Sequence, residues 1–312
     1  MDSIRFFGTS AGNPTVDRNV SSLVLHLSNK KTCLVDCGDG TCYQLVRGRE
    51  KLSRITIIFI THMHSDHVFG LPGLLSCLAG NATIVGPVGV RAFVENAIAA
   101  VPPDSRVHEL EIAFVELEPE KSYPAVPLSK EAAASMGKVS VSAYPLSHRC
   151  PCFGYIFSEQ EDIWKIDSKK AMALGACGPE LGRLSRWEEV LPASGGPLIR
   201  PQDVLSIARH KRKVAIFGDT NVEKLCPETV EAVRGCDVLV CEATYIDTDE
   251  LSEKHMHSSV GMVSAFAKSV GVKKVFLNHI SPRSKLEELE ERVAELFGGI
   301  ATVANDMAKY NI

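Results

Sequence analysis

The sequence predicts an α/β fold in which two sheets pack together with helices outside. Short apolar, β-branched runs alternate with helix-like stretches along the chain. Their order, strands first and then strands with crossover helices, occurs twice with no Ser- or Pro-rich linker between the rounds. At 45% hydrophobic and 23% charged, the 312 residues have an ordinary globular composition, and a chain of this length can bury a sizeable core.

The first round opens with strands at 3–8 (SIRFFG), 20–28 and 32–35, the last running into DCGDG. Residues 41–49 read as a helix, 55–60 as a buried strand, 71–79 as a helix, ATIVG as a strand and 88–100 as a helix. Strand character returns at 111–117, 138–145 and 153–158. The second round is KVAIFGDT, a helix near 221–233, DVLVCEAT, a helix over 258–270, KKVFLNH and a helix over 284–296. Residues 160–202 break the rhythm with five glycines, four prolines and both tryptophans. A long irregular stretch inside a domain is usually functional or mobile, so an insertion projecting from the body is expected there, with Lys169, Lys170, Arg183 and Arg186 among its basic residues.

Charge and targeting signals narrow the classes. A net charge of -4 creates no global field for nucleic acid, so a polyanion site would need a local basic patch. No apolar run approaches the ~20 residues of a membrane span, and MDSIRFFGTSAG has neither a signal segment nor a presequence. A cytoplasmic or nuclear location is the expectation, without a membrane partner or organic cofactor. The ten cysteines include no CxxC pair, and most are expected to be small buried hydrophobes.

The chemistry concentrates in THMHSDH, which follows the strand at 55–60. In extended chain, residues i and i+2 project to one side, so His62 and His64 can converge on one ion. Asp66 and His67 arrive from the next turn and offer oxygen and nitrogen to a second. Three further ligand types each follow a short apolar strand: His148, Asp219 and His279. Imidazole and carboxylate suit zinc. Asp219 is the natural bridge between two ions about 3.5–4 Å apart. His26, His108 and His210 lack this context and are expected to be structural. Asp36 and Asp39 are expected to close a turn and to hydrogen-bond the ligand loops.

The HxHxDH run with His148, Asp219 and His279 resembles the metallo-β-lactamase superfamily of binuclear zinc hydrolases, from about Phe7 to His279. FFGTSAGNPTVDRN, DCGDGT, CEATY (241–245) and HMHSS (255–259) resemble ribonuclease Z within it. Cys241 and Ser259 depart from that family's HEAT- and HST-like segments, and Val16 stands where its PxKxRN loop has lysine. The resemblance implies an αββα sandwich of two mixed sheets, a single domain over 1–312 with a flexible tRNA-binding arm at about 160–202, and a homodimer. It implies a metal-dependent endoribonuclease that removes the 3′ trailer of precursor tRNA after the discriminator nucleotide, through hydroxide attack supported by two Zn²⁺, with manganese or another divalent ion as the alternative. His62, His64 and His148 would hold one ion and Asp66, His67 and His279 the other, with Asp219 between. Asp66 would orient the nucleophile, and His257, paired with Glu242, would protonate the leaving oxygen, whereas His255 would be a surface loop residue. Ser258 and Ser259 would receive a phosphate oxygen on their N–H groups, Arg283 would contact a phosphate or form a structural ion pair, and Lys169, Lys170, Arg183 and Arg186 would meet tRNA. Two rival functions stand beside this one: a small-molecule phosphodiesterase or arylsulfatase-like hydrolase, which would not need the arm, and a non-catalytic RNA-binding paralogue, which would hold no zinc.

Overall fold

The computed structural model describes residues 1–247 and 249–312, which form two units, Met1–Ser158 with Lys213–Ile312, and Glu159–Arg212. In chain order the strands are β1 (Ser3–Gly8), β2 (Ser22–His26), β3 (Thr32–Val35), β4 (Ile55–Phe59), β5 (Ala82–Pro87), β6 (Ile112–Leu117), β7 (Val139–Leu146) and β8 (Cys152–Glu159). They continue as β9 (Ile163–Ile166), β10 (Leu205–Arg209), β11 (Lys213–Ile216), β12 (Val238–Glu242), β13 (Lys274–Asn278), β14 (Ala301–Val303) and β15 (Lys309–Asn311).

The larger unit contains two mixed sheets. One has the order β15-β1-β2-β3-β4-β5-β6 and the other β14-β13-β12-β11-β8-β7. β3 through β6 run parallel, as do β11 through β14. Phe6, Phe59, Phe153, Tyr155, Phe157 and Phe276 fill the layer between the sheets. Phe59 lies 4.9 Å from Tyr155 and 5.2 Å from Phe157, centroid to centroid. The outer faces carry their own apolar clusters beneath the helices, so the layering is αββα. Tyr155 pays for its burial with a hydrogen bond from Oη to the Ile60 carbonyl, 2.7 Å away. That bond ties the second sheet to the end of β4, just before the histidines.

Parallel order brings the chemistry to one edge. Asp36 follows β3, His62 follows β4, Asp219 follows β11, Glu242 ends β12 and His279 follows β13, where α/β sheets place their sites. DCGDG works by close approach. A Cβ on Gly38 would lie 2.2 Å from the Asp66 carbonyl oxygen, and one on Gly70 would lie 2.0 Å from that of Gly38. Glycine at both positions lets the turn after β3 press against the HSDH turn. Cys37 then donates its N–H to His67 O and accepts one from Gly70.

Several elements differ from the sequence expectation. The helix expected over 71–79 is short, Leu71–Leu75, after a separate turn at Ser65–Val68. The one near 221–233 is a 3₁₀ turn, Val222–Lys224, followed by a helix from Pro227, whose ring favours the first helical turn. β14 and β15 were not foreseen, because three residues give no usable period-2 signal.

The second unit is longer than the composition break suggested, Glu159–Arg212. Within it, β9 and β10 pair antiparallel. Short helices sit over a small core of Ala171, Ala176, Leu184, Val190, Ile199 and Val204. Glu159, just before β9, accepts from both terminal nitrogens of Arg209 in β10, at 2.6 and 3.0 Å.

Candidate metal centre and active cleft

The turns after four strands deliver seven donor residues to one point. His64 Nδ1 lies 3.0 Å from His62 Nε2 and 3.2 Å from His148 Nε2. On the other side, His279 Nε2 lies 3.3 Å from Asp66 Oδ2, and His67 Nε2 lies 3.6 Å from the same oxygen. Asp219 touches both groups, with one oxygen 3.6 Å from His62 Nε2 and the other 3.4 Å from His67 Nε2. The structure brings all seven of these residues together, with the Asp219 carboxylate between the two groups.

Each ring is aimed by what holds its far nitrogen. His67 Nδ1 donates to Asp36 Oδ2 at 2.7 Å. His62 Nδ1 meets Thr61 Oγ1 at 3.1 Å, and that hydroxyl donates to Asp36. His148 Nδ1 donates to the Met256 carbonyl at 3.0 Å. His279 Nδ1 meets Thr244 Oγ1 at 3.0 Å, and Thr244 donates to Glu242. Asp36 thus has the supporting role read from DCGDG; Asp39 is exposed and offers its carbonyl to Asn19. Asp36, Met256 and His279 all have left-handed backbone, φ 58°, 58° and 52°. Such conformations cost of order 1–3 kcal/mol each and persist where the surroundings impose them.

These residues fit divalent metal ions. His67 Nε2 is buried, points at Asp66 and Asp219, and has no hydrogen-bond partner, an uncommon state unless another ligand satisfies it. Burial holds His62, His64 and His148 below the usual imidazole range, so they present the neutral form a metal requires. Burial opposes the charges on Asp66 and Asp219, but the surrounding histidines hold both carboxyls below their usual range. Nitrogen and oxygen donors together suit zinc and related ions.

Beside the cluster, His257 Nδ1 donates to Glu242 Oε1 at 2.8 Å. Burial disfavours the imidazolium, yet Glu242 and then Asp219 outweigh it and push His257 up to about 9. Glu242 is itself buried and accepts from Thr220 N, Thr244 Oγ1 and Ser258 N as well, so it positions His257 rather than meeting a ligand. The cluster opens into a cleft of 1310 Å³ whose walls include Asn13, Arg149, Tyr245, His255, Arg283 and Lys285.

A ribonuclease Z of Acaryochloris marina is 37% identical over 99% of this chain and 97% of its own length. The chain belongs to the ribonuclease Z family. Human tRNase Z, short form, superposes with a TM-score of 0.65 at 27% identity, covering 99% of this chain and 98% of its own. The metallo-β-lactamase fold protein YhfI of Bacillus subtilis also superposes at 0.65, with 14% identity over 99% of both chains, which speaks to fold alone. A family model described as anti-Pycsar protein Apyc1 matches residues 3–78. As a ribonuclease Z family member of metallo-β-lactamase fold, the protein is a metal-binding hydrolase of the nuclease class.

Within this ribonuclease Z framework, two sequence-based expectations need correction. Ser258 and Ser259 are buried and do not offer free N–H groups to the cleft. The Ser258 N–H goes to Glu242 and its hydroxyl to Thr220 O, while Ser259 Oγ caps the helix Val260–Val270. HSS therefore builds the His257 support rather than a phosphate seat. Five cysteines rather than most are buried, and Cys150 is not among them. Lys169 and Lys170 are exposed, whereas Arg183 and Arg186 both pair with Glu188. His26 bonds to Ser3 and Glu50, His108 meets the Val101 carbonyl, and exposed His210 pairs with Asp162. His255 ends the helix Asp249–His255 and lines the cleft.

Sequence reasoning missed three contributors. Gly12 N–H donates to Asp66 Oδ2 at 2.8 Å, which explains why the N-terminal FFGTSAGN loop belongs to the site. Thr61 carries the link from Asp36 to His62. Cys150 Sγ lies 3.7 Å from His64 Nε2, and its only sequence signal is its position two residues after His148.

Proposed function

We propose that this protein removes the 3′ trailer from precursor tRNA, hydrolysing the phosphodiester after the discriminator nucleotide to leave a 3′-hydroxyl on the tRNA and a 5′-phosphate on the trailer. The observation that carries the reading is the buried His257–Glu242 pair beside a seven-residue donor cluster, in a chain of the ribonuclease Z family.

His62, His64 and His148 would hold one Zn²⁺ and Asp66, His67 and His279 the other, with Asp219 contributing to both; manganese is the alternative ion. When bound, such a pair supplies Lewis-acid stabilisation of the phosphate and a water of lowered pKa. Asp66, fixed by Gly12 N–H, orients the attacking water by accepting its hydrogen bond. His257 donates its Nε2 proton to the departing ribose 3′-oxygen, and Glu242 keeps the ring aligned and its charge stabilised. Arg149, Arg283 and Lys285 in the cleft wall would meet the flanking phosphates.

In this reading the unit Glu159–Arg212 is the arm that grips tRNA. Exposed Lys169 and Lys170 would carry more of that affinity than Arg183 and Arg186, whose charge Glu188 offsets. The working assembly would be a homodimer. No helix among the described residues is long and apolar enough to cross a membrane.

The test maps the cut on a precursor tRNA with a 3′ trailer, for the zinc-loaded wild type and for a chain lacking residues 159–212. A single cut after the discriminator nucleotide, weakened by the deletion, is expected. No cut on the precursor, together with brisk deletion-insensitive hydrolysis of a small phosphodiester, would place the protein among small-molecule phosphodiesterases instead.

A further inference from the structure

Five histidines belong to the donor cluster, and in four the nitrogen facing away from it meets an oxygen: Thr61 Oγ1 for His62, Asp36 for His67, the Met256 carbonyl for His148 and Thr244 Oγ1 for His279. His64 differs. It faces His62 and His148 through Nδ1, and its outer nitrogen, Nε2, meets the Cys150 sulfur at 3.7 Å.

We propose that Cys150 is a positioning residue of the metal centre, whose sulfur accepts the Nε2–H of His64 and thereby leaves Nδ1 bare for an ion. A neutral imidazole carries one proton, and the partner of one nitrogen decides which nitrogen can ligate. Outer partners of ligating histidines are oxygens as a rule, and a thiol sulfur is a weak acceptor. His64 is therefore the least firmly held ring of the cluster. The contact also ties two segments together: Cys150 lies in the β7–β8 connection that carries His148, so a single loop supplies one ligand and aims another. The inference rests on His62, His64 and His148 being ligands, but not on which RNA is cut.

The experiment uses the full chain, freed of metal by chelation and without any RNA. In ¹⁵N-histidine spectra of the wild type, His64 is expected as the Nε2–H tautomer, and Cys150→Ala is expected to populate both tautomers. In chelator competition with zinc, Cys150→Ala should weaken one of the two ions by about 10–100-fold, leaving the other near its wild-type affinity. Cys150→Ser, which keeps an acceptor, should recover most of that loss. The d–d spectrum of the cobalt-loaded protein should follow the same order. Wild-type affinities for both ions in Cys150→Ala would overturn the proposal. So would a Ser variant as weak as Ala at an unchanged melting temperature, or wild-type His64 already in the Nδ1–H tautomer, a reading that needs no variant to fold. Loss of the proposed tRNA cleavage with these metal results intact would count against the substrate reading alone.

Discussion

The two sheets support the centre with the same device, built twice. After β3 and β4, Asp36 holds His67 directly and His62 through Thr61. At the end of β12, Glu242 holds His257 directly and His279 through Thr244. In each case a buried carboxylate grips one ring, and a threonine hydroxyl relays it to another. The difference lies in the directly held ring. His67 points its free nitrogen at Asp66 and Asp219, within the donor cluster. His257 stacks against His279 at 5.5 Å and lines the cleft instead. On the proposed mechanism, a relay of one design would serve metal binding in the first sheet and be half diverted to proton donation in the second, separating a metal-binding edge from a catalytic one.

Substitutions probe the two relays at graded points. The largest effect should come from Asp219, which both halves share. Asp219→Ala leaves buried imidazoles facing one another, and breaking a buried ionic network costs about 3–5 kcal/mol. Elemental analysis is expected to find at most one ion per chain, with cleavage lost; two tightly held ions would contradict the shared role. Next comes His257→Ala, expected to slow single-turnover cleavage by about 10²–10⁴-fold with metal content unchanged. Asp36→Asn and Glu242→Gln then sharpen the contrast. The first should cost about 10–100-fold in metal affinity and be rescued by added zinc; the second, which reaches His279 only through Thr244, should slow the reaction with at most minor rescue by zinc. Equal rescue of both would erase the distinction between the relays. Smallest are Thr61→Val and Thr244→Val, each expected to cost about 1 kcal/mol for the lost hydrogen bond. Thr61→Val should appear as weaker zinc retention in chelator competition.

Much of this donor cluster was legible in the sequence because its residues sit at fixed offsets from recognisable strands. The i, i+2 spacing of His62 and His64, and single ligand types after the apolar runs before 148, 219 and 279, needed no tertiary information. Asp36 could be read because DCGDG marks a turn. Relationships created only by folding could not be read. Gly12 reaches Asp66 across 54 positions and Cys150 reaches His64 across 86; nothing local in either stretch announces the contact. Ser258 and Ser259 misled for the opposite reason. Their place before a helix suggests free N–H groups, but Glu242, 16 residues earlier, takes the Ser258 N–H. The second unit was visible as a composition break, yet its outer limit was not, because β10 is a short segment with little strand signal of its own until it pairs with β9.

In the proposed mechanism His257, held by Glu242, delivers a proton to the leaving 3′-oxygen. The most direct test is single-turnover cleavage of a precursor tRNA whose scissile 3′-bridging oxygen is replaced by sulfur, a leaving group that departs without protonation. His257→Ala should then cleave at nearly the wild-type rate, although it is strongly impaired on the oxygen substrate. An equal defect on both substrates would contradict proton donation and leave His257 with a purely structural part.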